Sequence, residues 1–129
     1  LGTNSKVVFT SWEYDIDLSL AGLDIIALTS LNEGTPVSLI EAMAAGKPVV
    51  STNAGGVPDI VQEGKSGYIL EQGDLQGFAE SLSLLIDDAG LRDQMGQAGR
   101  EYATEHHSLS RLIHETDAYY QLLLSAQMK

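Results

Sequence analysis

Two carboxylates and the helix start between them are the residues best suited to chemistry in this chain. Glu33 stands in the stretch LNEGTPVSL, and Glu41 follows eight positions later in IEAMAAGKP. Between them run Gly34, Thr35, Pro36, Val37 and Ser38. Thr35 reads as a helix N-cap and Pro36 as the first helical residue, where a missing N–H is of no consequence. The amides of Val37 and Ser38 would then point out of the helix end. Such an end attracts phosphate through its free donors and its dipole. Gly34 lets backbone and ligand approach closely. A phosphate flanked by two carboxylates that accept hydroxyl protons suits a sugar nucleotide. The competing reading is a buried packing helix whose one glutamate is satisfied by a neighbour, and the local sequence supports both.

The elements that must position these residues occupy residues 28–54: strand end, tight loop, short helix, turn, strand. The helix is apolar nearly all round through Val37, Leu39, Ile40, Ala42, Met43, Ala44 and Ala45, which marks it as buried. A carboxylate within it must therefore face a polar cleft or be paired. Gly46 reads as the helix stop, with Pro48 just beyond.

Residues 6–10 (KVVFT), 24–28 (DIIAL), 48–52 (PVVST) and 68–70 (YIL) read as four buried strands, each a short apolar run. Short helices are expected over residues 15–23, with Leu18, Ala21 and Ile16 inward, and over 58–62. Beyond Asp74, an N-cap candidate, the period becomes helical. Leu75, Phe78, Ala79, Leu82, Leu85 and Ile86 form one stripe. Further helices span about 89–105 and about 108–126, and Tyr119 and Tyr120 are read as packing residues. Alternating strands and helices with continuous apolar strands predict an α/β layered, Rossmann-like fold with a parallel sheet. In such sheets ligands sit beyond the carboxyl ends of the strands. Ser11, residues 30–37 and residues 53–56 all fall there, which favours the ligand-site reading of the central stretch.

Composition narrows the function. The chain has 129 residues, 43% of them apolar, and is expected to form one domain that buries roughly two-thirds of its unfolded surface. Seven basic against eighteen acidic residues give a net charge of −11. That argues against nucleic acid as a partner and disfavours anionic membranes. Cysteine is absent, so there is no disulfide framework and no thiolate metal site. Four weaker features are set aside. Gly64-Lys65-Ser66 resembles the end of a phosphate loop, but Asp59 stands where the leading glycine belongs and a strand follows instead of a helix. His106, His107 and His114 read as solvated histidines with no metal constellation around them. Gly96 and Gly99, inside a helical pattern, read as close packing or fraying, and Lys47 as a lone cation beside the site.

With these residues in hand, the chain resembles the donor-binding part of GT-B glycosyltransferases of the group 1 (family 4) type. The resemblance rests on Asp24-Ile25-Ile26, Ser30, Glu33-Gly34-Thr35-Pro36, Glu41 through Val50 (EAMAAGKPVV), and residues 55–61 (GGVPDIV). Gly64, Gly67-Tyr68 and Gly99-Arg100 continue it. The Glu–seven residues–Glu spacing is weak alone and highly specific when joined to the other two stretches. The chain departs from the pattern at Pro36, where many relatives have Gly, at Ser11, where Gly is usual, and at Asp59, where Glu is usual.

The resemblance implies transfer of a hexose-type sugar from a UDP-, GDP- or ADP-sugar, with retention of configuration and without cofactor or metal, in polysaccharide or glycan biosynthesis. It implies that Glu41 binds the ribose hydroxyls and that Glu33 lies against the donor sugar as the catalytic residue. The backbone of Gly34, Thr35, Pro36, Val37 and Ser38 would meet the sugar and pyrophosphate. It also implies that the acceptor site lies in an N-terminal domain absent from this chain, together with two strands of the donor domain. From this follow four expectations. Residues 1–107 form a partial nucleotide-sugar domain on which a helix at 108–129 packs. The piece alone is inactive. Its exposed sheet edge makes it rearrange, pair with another copy or take up a partner segment. The parent is cytoplasmic, reaching the inner face of a membrane through its acceptor domain. The alternative is a non-catalytic nucleotide-binding module or a subunit needing a partner chain.

Overall fold

A computed structural model describes residues 6–127. Three short strands, β1 (Ile26–Leu28), β2 (Val49–Thr52) and β3 (Gly67–Leu70), form one parallel sheet in the order β1-β2-β3. Ile26 is opposite Val49, which in turn is opposite Gly67. Among the described residues the helices are α1 (Ile16–Ala21), α2 (Val37–Ala44), α3 (Val57–Ile60), α4 (Leu75–Asp87), α5 (Ala89–His106) and α6 (Leu109–Gln127). The α/β layered, Rossmann-like fold with a parallel sheet is as the apolar pattern predicts.

The alternation of side chains along β2 builds two cores, one on each face. Val49 packs with Leu39 and Met43 of α2, Val57 and Ile60 of α3, and Ala103 of α5. Val50 packs on the other side with Leu85 of α4 and Met95 of α5. Strands buried on both faces read as continuous apolar runs, which is why β2 was legible from VVST. The turn after α2 satisfies its last carbonyls: Gly46, at φ 74°, donates its amide to Met43, and Lys47 donates to Ala42. The Asp74 carboxylate caps α4 through the Gly77 amide at 2.9 Å, and Asp88 caps α5 through Leu91 at 2.9 Å.

Five expectations are corrected. Residues 6–10 are not a strand: Val8 is 83% and Phe9 94% exposed, and neither pairs with β1. Apolar β-branched composition supplies a strand only where a neighbouring strand offers hydrogen bonds, and none flanks this segment among the described residues. In α1 the buried residue is Leu20, while Leu18, Ile16 and Ala21 are exposed. The last helix forms, but its apolar side chains from Leu109 to Leu124 are exposed, Tyr119 and Tyr120 included. Only its base, at Ser108 and Arg111, is half-buried against the body. Amphipathic period selects the helix, not the surface it meets. The readings of His106 and His107, and the N-cap of α2, are corrected below, whereas His114 is exposed as expected. Gly96 and Gly99, by contrast, do serve close packing, against the Gly46 carbonyl and the Met43 side chain.

Candidate functional site

The loops at the carboxyl ends of the three strands are tied together by hydrogen bonds. Thr52 Oγ1 at the end of β2 donates to the Ser30 carbonyl after β1 at 2.6 Å. The Gln72 side-chain amide, after β3, donates to the Leu31 carbonyl at 2.8 Å and to the Asn53 carbonyl at 3.3 Å. Asn53 Nδ2 donates to Glu71 Oε1 at 2.9 Å. This edge of the sheet is therefore a built platform, and residues 30–37 lie on it, where a doubly wound sheet presents its ligand site.

The start of α2 differs from the expectation in one respect. Pro36, not Thr35, is the N-cap, with φ −73° and ψ 90°, and no side chain caps the helix. The Pro36 carbonyl accepts from the Leu39 and Ile40 amides. The ring fixes φ but not ψ, so an extended ψ at Pro36 delays the helix by one residue. The consequence for the site is unchanged. The amides of Val37 and Ser38 have no acceptor among the described residues, and both residues are exposed. Gly34 and Thr35 are also exposed, whereas Pro36 is buried.

Only one of the two carboxylates lines a hollow among the described residues. Glu41, half-buried, lines a cleft of about 390 Å³ between α1 and α2, with Asp17, Ala21, Ala44, Ala45 and Lys47. Lys47 Nζ contacts the Ala21 carbonyl at 3.5 Å, at the carboxyl end of α1. Glu41 thus faces a cleft, one of the two solutions its position allowed, and no ion pair engages it among the described residues. Glu33, also half-buried, sits in the loop before α2, and its carboxylate has no hydrogen-bond partner among the described residues. Thr29, Leu31 and Thr52 line an apolar hollow of about 390 Å³ with Leu75, Phe78 and Leu82 of α4. Thr35 lines a third, of about 230 Å³, with Ile40, His107, Arg111 and Glu115.

Sequence reasoning missed the third hollow. His106 and His107 are half-buried, not solvated. Both rings pack against Tyr102, His106 tilted at a separation of 4.4 Å and His107 edge-on at 5.7 Å. Arg111 bridges Glu115 at 2.6 Å and reaches His106 Nδ1 at 2.8 Å. His107 Nε2 is buried without a partner. Burial first, then the neighbouring charges of His106 and Arg111, lowers the His107 pKa below its usual range. Histidines adjacent at a helix junction carry no sequence signal for this; the corner between α5 and α6 creates it. No group of three or more potential metal ligands occurs among the described residues, and no helix there is long and apolar enough to cross a membrane.

Residues 1–102 match the family described as glycosyl transferases group 1. The chain is 33% identical over 125 residues to the lipopolysaccharide core biosynthesis glycosyltransferase LpsE of Rhizobium meliloti, covering 97% of this chain and 36% of that protein. It is 32% identical over 124 residues to N-acetyl-alpha-D-glucosaminyl L-malate synthase of Bacillus anthracis, covering 95% of this chain and 32% of that protein. Among solved structures, HepE of Anabaena in complex with UDP superposes with a TM-score of 0.84 at 28% identity, covering 92% of this chain and 34% of that one. The C-terminal domain of the group 1 protein LpcC from Francisella tularensis superposes with a TM-score of 0.70 at 31% identity, covering 80% and 53%. The chain thus spans about a third of the length of these curated relatives.

Proposed function

The chain belongs to the group 1 glycosyl transferases, and from that premise we propose that it is the donor-binding part of a glycosyltransferase that moves a sugar from a nucleotide-sugar to an acceptor with retention of configuration. The observation that carries this is the start of α2: unengaged amides at Val37 and Ser38, with Glu33 before them and Glu41 after, at the ligand edge of the sheet. Glu41 holds the ribose hydroxyls from its cleft. Glu33 lies against the donor sugar and acts as the catalytic residue. The backbone of Gly34, Thr35, Pro36, Val37 and Ser38 surrounds sugar and pyrophosphate; Pro36 has no amide to offer and its carbonyl is engaged by Leu39 and Ile40, and the amides of its neighbours contribute donors to the developing negative charge.

The UDP bound by HepE supports a nucleoside diphosphate as the group recognised. The acceptor is bound by the remainder of a longer protein, in keeping with the one-third span of the match. These residues alone therefore bind donor without turning it over. The setting is glycan biosynthesis in the cytoplasm. The edge of β1 that carries no neighbour among the described residues is where a second copy associates. Sedimentation over a concentration series tests that point: one unchanging monomer mass contradicts it.

Calorimetric titration of UDP, GDP and ADP into the chain, with chelator present, tests the donor reading. Saturable uptake of one nucleotide identifies the donor class. Uptake of none of the three contradicts donor binding by these residues.

A further inference from the structure

The double-glycine turn after β2 lies against the loop that carries Glu33, with backbone on backbone. Gly55 has φ +50°, and a Cβ built on it would fall 1.7 Å from the Glu33 carbonyl oxygen and 3.3 Å from the Glu33 Cα. Gly56 donates its amide to the Gly34 carbonyl at 3.0 Å. A Cβ on Gly56 would fall 2.4 Å from that same oxygen. Neither neighbour is the flexible end of a side chain, so an added methyl group could be relieved only by moving the loop. Gly34 is the reverse case: a Cβ there meets nothing within 4 Å.

We propose that Gly55 and Gly56 are positioning residues that set where the Glu33 carboxylate meets the donor sugar, by clamping the backbone of Glu33 and Gly34 from behind. The Glu33 carboxylate has no partner of its own among the described residues, so its direction is inherited from this backbone. Glu41 stands on α2, anchored by the core through Leu39, Ala42 and Met43. The two carboxylates are therefore held by separate supports. Disturbing the glycine turn displaces the sugar contact and leaves the nucleotide contact in place. This rests on the nucleotide-sugar reading of the site.

The test compares UDP with UDP-glucose in the wild-type chain and in Gly55→Ala and Gly56→Ala. In Gly55→Ala and Gly56→Ala the ratio of UDP-glucose to UDP affinity falls about tenfold, the loss of one charged hydrogen bond, while UDP affinity stays within about twofold. Proportional loss of both ligands, or an unchanged ratio in both turn variants, overturns the proposal. Amide spectra supply a readout independent of ligand and, in the wild type, of any variant. The Gly56 amide is protected from exchange, and Gly55→Ala shifts the Glu33 and Gly34 amides. An unprotected Gly56 amide overturns the clamp. Uptake of neither ligand by the wild type, with Gly56 protected, instead contradicts the nucleotide-sugar reading and leaves the clamp standing.

Discussion

Gly96 of α5 lies so close to Gly46 that a Cβ on Gly96 would fall 2.1 Å from the Gly46 carbonyl oxygen. The turn that ends α2 and the middle of α5 touch backbone to backbone. This contact fixes the helix that carries Glu41. It also explains a glycine within a helix, where glycine disfavours the helical state by about 1 kcal/mol relative to alanine.

Gly96→Ala therefore destabilises the fold despite its better helix propensity. The added methyl group must push α5 from α2, an overpacking loss of about 1–3 kcal/mol. Urea denaturation followed by circular dichroism checks this: the midpoint falls. A raised midpoint would mean that α5 stands off from the turn.

Asp74 accepts the Gly77 amide at the start of α4. Asp74→Ala leaves that donor without its side-chain partner and lowers stability by about 1 kcal/mol. Asp74→Asn or Asp74→Ser restores most of the loss, which the same denaturation series measures.

The lowered pKa of His107 gives acid sensitivity with a definite sign. The unfolded chain binds the proton more readily, near the ordinary value of 6.5, than the folded chain does. Stability from this residue is complete above 6.5 and declines as pH falls through 6.5 toward the lower folded value. His107→Asn flattens the stability profile from 6.5 down to about pH 5, above the range where ordinary carboxylates titrate. Melting temperatures across that window, wild type against variant, measure the difference. Parallel profiles would contradict it.

The legible parts of this molecule were those fixed by local chemistry. The αL glycine at Gly46, the Asp74 cap and the apolar run of β2 each state their own structure. The site could be located because loops at strand ends are where an α/β sheet exposes backbone donors. Long-range pairing was less legible. Nothing in VVFT tells whether a neighbouring strand is present, and nothing in the stripe of α6 tells what surface it meets. The same holds for the glycine turn: GG at residues 55–56 announces conformational freedom, but its close approach to Glu33 emerges only once β1 and β2 stand side by side. His107 is the clearest case, because its burial is made by a helix corner and not by its own neighbours in sequence.

The central claim is that Glu41 binds the nucleotide from the cleft between α1 and α2. Glu41 is half-exposed and has no partner among the described residues, so its removal leaves the fold within about 0.5 kcal/mol of wild type. The direct measurement is a calorimetric titration of UDP, GDP and ADP into the wild-type chain and Glu41→Ala, with melting temperatures in parallel. The predicted result is one nucleotide bound by the wild type, at least about tenfold weaker in the variant, with unchanged melting. Equal affinity in the two proteins would contradict the account.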